Sequence, residues 1–161
     1  LRLPGWRFVK LTRQFLDQAL QIETQSFKFP WNRSLYMRVL ACPGALNRAI
    51  IIKPDETKAK ALIAYLCSRI IIDELHIMKI AVAPEWRRQG AASALLRHGF
   101  GLARKIGVKN VLLEVRPSNR LARRLYHGTD FQLIGKRANY YPQTGEAALL
   151  YRKNLEEDRC E

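Results

Sequence analysis

The sequence predicts an α+β fold in which a mixed, mostly antiparallel sheet is flanked by helices. Three observations carry this. The middle of the chain holds β-rich apolar runs, Asn47–Ile52, Ala61–Ile72 and Leu75–Val82, separated by short polar turns, the pattern of an antiparallel meander. The pattern then changes, after Pro84 and Gly90, to a helical period over Ala92–Ile106. A buried-looking strand, Val111–Val115, follows that helix so closely that a right-handed parallel crossover joins the two strands.

Each element has a local reason. Trp6–Leu11 alternates as a first strand, and Thr12 is placed to cap a helix carrying Phe15, Leu16, Ala19, Leu20 and Ile22. Phe27-Lys28-Phe29-Pro30-Trp31-Asn32 interrupts it, because proline forces its neighbour into extended backbone. These aromatics either plug the core or wall a groove. Arg33–Leu40 reads as a second short helix, ended near Pro43-Gly44. Lys53–Lys58 and Asp73-Glu74 are turns by composition. In the long helix Ala92, Leu95, Leu96, Gly99, Ala103 and Ile106 share a stripe, and Gly107 suits its end. Gly99 and Gly101 each cost about 1 kcal/mol relative to alanine there, and close packing on the sheet is the explanation on offer. Ser118 or Asn119 caps a helix running to Tyr126, and Phe131–Gly135 and Ala147–Tyr151 are the last strands. The expectation is one domain over residues 1–161, with 156–161 a frayed tail.

Composition bounds the function. A chain of 161 residues buries roughly 70% of its unfolded surface, and 48% hydrophobic residues exclude global disorder. No apolar run approaches the roughly 20 residues of a membrane span, and no secretory signal is read at the N-terminus. The 28 Lys and Arg against 14 Asp and Glu give a formal charge of +14. Such a balance attracts polyanions: a nucleic-acid or ribosomal neighbourhood, or a highly phosphorylated cofactor. A solvated basic surface with no dedicated partner is the alternative. Cys42, Cys67 and Cys160 are odd in number and lack metal-ligand spacing, which points to a reducing cytoplasm without disulfides. Cys67 reads as core. His76, His98 and His127 have no ligand spacing either, so no metal is expected; His76 is read as sharing a face with Met78 and Ile80.

Four constellations carry chemistry. The first is the turn Arg87-Arg88-Gln89-Gly90-Ala91-Ala92, where a strand stops and a helix opens. The first helical N–H groups lack partners, and with the helix dipole they suit an anion such as a phosphate. The string is neither a Walker loop nor a Gly-x-Gly-x-x-Gly fingerprint. On its own it also fits a merely basic helix start. The second is Leu113-Glu114-Val115-Arg116 with Ser118-Asn119. Strand alternation puts Glu114 and Arg116 on one face, opposite Leu113 and Val115. Glu114 is there either a buried ion-pair member or a base with a tuned pKa. The third is Leu125-Tyr126, a core tyrosine or, turned into a cleft, a proton donor. The fourth is Asn139-Tyr140-Tyr141-Pro142, whose adjacent tyrosines cannot both face the core.

In this order and spacing, and with Phe29-Pro30-Trp31 and Ile80-Ala81-Val82, these segments resemble the GNAT acetyltransferase superfamily over about Trp6–Leu155. The Glu-Val-Arg, Asn and Tyr-Tyr-Pro pieces resemble its RimI-type group, which acetylates the N-terminal alanine of a small-subunit ribosomal protein. The resemblance implies a sheet splayed around a cofactor site and acetyl-CoA as co-substrate. It implies that the Ile80, Ala81 and Val82 backbone holds the pantetheine arm. Arg88, Gln89, Gly90, Ala91, Ala92 and Ser93 would hold the pyrophosphate, Arg87 and Arg88 would add charge, and Asn119 would contact the cofactor from the other side. Glu114 matches the family's general base and Tyr126 its general acid. Phe29, Trp31, Tyr140 and Tyr141 would line a peptide groove. The expected partner is a protein N-terminus, with ribosome or RNA proximity suggested by the charge.

Two positions depart from the family pattern. Asp130 precedes Phe131 where a glycine is usual, which could move Tyr126, and Glu146-Ala147 has one carboxylate of a usual pair. Acetylation of a small amine or a lysine side chain, and a non-catalytic basic module on ribosomes or RNA, are the competing readings.

Overall fold

The computed structural model describes residues 5–53 and 59–156. The expected turn over Pro54–Lys58 and all but the first residue of the expected tail lie outside them, as does Cys160. Strands β1 (Trp6–Lys10), β2 (Arg48–Ile52), β3 (Ala61–Ile71), β4 (Glu74–Val82), β5 (Asn110–Val115), β6 (Gln132–Arg137) and β7 (Ala148–Asn154) form one sheet. Its order is β1-β2-β3-β4-β5-β7-β6. Every pairing is antiparallel except β4 with β5. The crossover between those two strands is α3 (Ala91–Lys105), as the spacing predicts. Helices α1 (Leu16–Ser26) and α2 (Arg33–Ala41) precede β2, and α4 (Arg120–His127) follows β5.

The sheet separates two apolar layers. One packs α3 side chains Ala91, Leu95, Leu96, Phe100 and Ala103 on Ile50, Leu66, Leu75 and Val111. The other packs Phe15, Leu16, Ala19, Ile22, Tyr36 and Val39 on Ala49, Ile51, Tyr65 and Cys67. The buried stripe of α3 begins at Ala91 rather than Ala92, and Ile106 lies exposed at the C-cap. A Cβ on Gly99 would sit 3.1 Å from Leu66 Cδ2, so close packing does account for that glycine. Gly101 has open space, and nothing in the structure explains it.

An irregularity in β4 decides which of its side chains each layer receives. Cys67 pairs with Lys79 and Ser68 with Ile77, so Met78 is an extra residue bulged out of the ladder. Before the bulge Leu75 and Ile77 face the α3 layer; after it Ile80 and Val82 do, while Met78 and Ala81 join the opposite layer. His76, Met78 and Ile80 therefore do not share a face, contrary to the sequence reading. His76 instead lies 3.0 Å from Glu74 Oε2. β3 also ends one residue early, because Ile72 turns to a φ of 59° and is 94% exposed.

The Asp130 departure is absorbed locally. Asp130 takes a φ of 64°, the left-handed conformation in which glycine is the easiest residue and aspartate among the least costly others. The turn closes with the Phe131 N–H donating to the Tyr126 carbonyl at 3.0 Å, and the two rings meet edge to face at 5.5 Å. Tyr126 is thus held in the α3 layer.

Candidate active site

The β4–β5 ladder runs only from Glu74↔Asn110 to Ile77↔Leu113. Beyond it the strands diverge: β4 stays paired with β3 up to Val82↔Ala64, and β5 stays paired with β7 up to Val115↔Leu149. The sheet opens into a V, and a cleft of about 1410 Å³ fills the gap. Pockets for one drug-sized ligand run roughly 300–1,000 Å³. This cleft is large enough for two reactants side by side.

One end of the cleft is built from backbone. A 3₁₀ turn over Pro84–Trp86 leads to Arg88 with a φ of 59° and Gly90 with a φ of 84°. Gly90 is the residue before α3, and no side chain caps that helix. Among the described residues, the amides from Arg88 to Ser93 donate to no protein acceptor; the first helical bond runs from the Ala94 N–H to the Gly90 carbonyl at 2.9 Å. A Cβ at Gly90 would meet no atom within 4 Å, and Gly90 lines the cleft. Unpaired amides, a helix N-terminus and open space make a seat for an anion. The side chains contribute unequally. Arg87 is engaged with protein, its Nε donating to the Val82 carbonyl at 3.1 Å and a terminal nitrogen to Ser26 Oγ at 2.8 Å. Gln89 turns back to the Glu85 carbonyl at 3.2 Å and does not line the cleft, so only its amide points to a role there.

The floor and far wall carry the titratable groups. Glu114 lies at the tip of β5 on the face opposite Leu113 and Val115, as alternation predicts, with its side chain 29% exposed. The cation beside it is Arg137 of β6, at 3.2 Å, rather than Arg116. Tyr140 lies near it as well: interaction with the Glu114 carboxylate, with burial adding, raises the Tyr140 pKa. Tyr126 borders the same cleft, and burial pushes its hydroxyl well above the ordinary tyrosine range. No hydrogen bond of that hydroxyl is formed among the described residues, which leaves its proton available. Asn119, rather than Ser118, caps α4, its Oδ1 accepting the Ala122 N–H at 3.1 Å. Its NH₂ has no protein partner among the described residues, and Asn119 lines the cleft.

The other end is built from side chains. Phe29, Trp31, Tyr140 and Tyr141 all line it. Tyr140 and Tyr141 meet edge to face at 5.1 Å, with Tyr140 the more exposed. Arg116 stacks 3.8 Å from the Tyr141 ring centroid and donates to Thr144 Oγ1 at 2.7 Å. Glu146 accepts from the Ser118 hydroxyl at 3.0 Å and the Ser118 N–H at 3.3 Å. Those bonds, the hydroxyl's foremost, hold its carboxyl below the usual range. A single carboxylate thus closes the loop between β6 and β7 onto the start of α4.

The model of the acetyltransferase (GNAT) family matches residues 16–131. The chain belongs to the GNAT acetyltransferase family. It is 33% identical over 130 residues to the [ribosomal protein bS18]-alanine N-acetyltransferase of Escherichia coli (strain K12), covering 80% of this chain and 82% of that one. A Bacillus subtilis (strain 168) protein, named as a candidate for the same activity, is 35% identical over 136 residues, 84% of this chain and 86% of that one. The crystal structure of the Escherichia coli ribosomal-protein-S18-alanine N-acetyltransferase superposes with a TM-score of 0.81 at 30% identity, covering 93% and 94% of the two chains. The protein is an acetyl-CoA-dependent N-acetyltransferase with the open sheet of that family.

Within this GNAT framework every residue given a catalytic, cofactor-binding or peptide-binding role from sequence borders this cleft, Gln89 excepted. Sequence reasoning missed Lys79 and Glu23. Lys79 lines the cleft, and its Nζ lies 2.8 Å from Glu23 Oε1. Burial draws the Lys79 pKa down, and the Glu23 carboxylate works against that. The available signals were a lysine inside an apolar strand, Ile77-Met78-Lys79-Ile80, and a glutamate one turn after Ala19 on the apolar stripe of α1.

Proposed function

We propose that this enzyme acetylates the α-amino group of a protein N-terminus, the N-terminal alanine of a small-subunit ribosomal protein being the favoured acceptor. The observation that carries this is the convergence of Glu114, Tyr126 and the unpaired amides of Arg88–Ser93 on one cleft. The relatives named for alanine N-acetylation of bS18 support the acceptor class.

The residues present fit acetyl-CoA. The amides from Arg88 to Ser93 match a pyrophosphate, and the space at Gly90 admits it. The β4 edge at Ile80, Ala81 and Val82, freed from β5, offers main-chain groups to an amide-bearing arm. Asn119 lines the opposite wall, its NH₂ unused by the cap bond. Bound there, acetyl-CoA supplies an acetyl group activated as a thioester.

The acceptor amine, with an ordinary pKa of about 7.7–8.0, must lose a proton before it attacks. Glu114 accepts that proton, directly or through water. Arg137 holds the carboxylate in place. Tyr126 donates its proton to the leaving sulfur, and burial keeps that proton on the hydroxyl at working pH. Each transfer is worth about 10²–10⁴-fold. Phe29, Trp31, Tyr140 and Tyr141 receive the peptide. A ribosomal-protein acceptor places the reaction in the cytoplasm, where the +14 charge favours proximity to RNA.

The test is turnover on peptides with different N-termini, set against lysine side chains and polyamines. Alanine-first peptides are expected to be acetylated fastest. Glu114→Gln should cut their turnover by about 10²–10⁴-fold while acetyl-CoA still binds. Preference for lysine or a polyamine would overturn the acceptor assignment, and unchanged turnover in Glu114→Gln would remove Glu114 as the base.

A further inference from the structure

Beneath the aromatic wall lies a buried charge cluster that no step of the proposed reaction uses. Glu23 is 0% exposed. Its Oε1 accepts the Trp31 backbone N–H at 2.8 Å and the Lys79 ammonium at 2.8 Å. Its Oε2 accepts the Tyr36 hydroxyl at 3.0 Å and the Tyr65 hydroxyl. The donors come from four places: the segment between α1 and α2, then α2, β3 and β4. A carboxylate buried so completely is tolerated because these four donors meet its oxygens.

The Lys79 ammonium is held on three sides. Besides Glu23, its Nζ sits 3.9 Å from the Phe27 ring centroid and 4.6 Å from that of Trp31. Its side chain is 12% exposed, and that exposed part faces the cleft. Phe27 and Trp31 line the cleft as well. Among the described residues no hydrogen bond joins Glu23, Lys79 or Trp31 to the turn before α3, whose Arg87 reaches α1 at Ser26.

We infer that Glu23 is a positioning residue for the acceptor. It pins the Phe27–Trp31 wall to the sheet through the Trp31 N–H, and it keeps the Lys79 ammonium folded against that wall and out of the acceptor's path. This rests on the proposal that the peptide enters along that wall. Without the carboxylate, the long Lys79 stem is free to swing into the groove, carrying a charge of the same sign as the incoming ammonium. The consequence is weaker acceptor binding with the chemistry and the acetyl-CoA seat left intact.

The test is steady-state kinetics on an alanine-first peptide that the parent enzyme acetylates, with acetyl-CoA binding measured by calorimetry. If the parent acetylates no N-terminal peptide, it is the acceptor assignment that fails, before any variant is made. Glu23→Gln should raise the peptide KM about tenfold, with kcat changed less than about threefold and the acetyl-CoA Kd less than about twofold. Combining it with Lys79→Met, which leaves no ammonium to release, should return KM to within about threefold of the parent. A role confined to stability would lower Tm in both variants and leave KM in place. Should Glu23→Gln not fold, Tyr65→Phe removes one donor and should raise KM about threefold. An unchanged KM in the variant that folds, a parallel loss of acetyl-CoA affinity, or no recovery in the double variant would overturn the inference.

Discussion

The two ends of the cleft are built on opposite plans. At the α3 end the binding groups are main-chain amides, presented by a turn of consecutive residues and cleared by Gly90. At the aromatic end they are side chains, Phe29, Trp31, Tyr140 and Tyr141, gathered from two segments far apart in sequence. A ligand common to a whole family is met by groups every residue possesses. An acceptor that distinguishes one enzyme from the next is met by groups that substitution can change. The difference predicts that the two ends fail separately.

The largest effect expected of that separation is at Gly90. Gly90→Val forces a β-branched residue to a φ of 84° and fills the seat, so acetyl-CoA affinity should fall about 10²-fold in calorimetry, with little effect on peptide KM at saturating acetyl-CoA. A parallel rise in peptide KM would break the comparison. Between the ends, Tyr126→Phe should lower kcat about 10²-fold, since it removes the proton donor and keeps the ring packing. Burial raises the Tyr126 pKa, which means its protonated form persists above the ordinary value of about 10. The pH profile of kcat/KM should therefore rise as the acceptor amine deprotonates and show no fall from Tyr126 ionisation below about pH 10. An alkaline limb near pH 9 that vanishes in Tyr126→Phe would contradict this. The smallest effect is at the aromatic end, where Tyr141→Ala should raise peptide KM about tenfold by removing one wall and releasing Arg116, with acetyl-CoA Kd unchanged.

The same contrast explains what could be read in advance. The anion turn was legible because glycine, arginines and a helix start are adjacent in the chain, and Glu114 because period-2 alternation fixes its face. Order and type of the elements followed from their apolar periods. Lys79 and Glu23 were not legible as a pair. They lie in separate elements, and only the bulge at Met78, which no local signal marks, sets the face Lys79 takes. The ion partner of Glu114 was not legible for a related reason. Arg116 is near in sequence, but the β5-β7-β6 order brings Arg137 to the carboxylate and leaves Arg116 to Tyr141 and Thr144. Asp130 shows the reverse: an apparent break in the motif that the backbone accommodates through a left-handed turn.

The parting of β4 from β5 after Ile77 has a consequence for solvent exchange. On the far half of β4, amides directed at β3 are locked in a ladder, while those directed across the gap have no strand to meet. In the free enzyme alternate amides from Lys79 to Val82 should trade their protons for deuterium at very different rates. Filling the cleft with acetyl-CoA should slow the fast set and leave the slow set as it was, because a ligand arm there completes the sheet as a missing strand would.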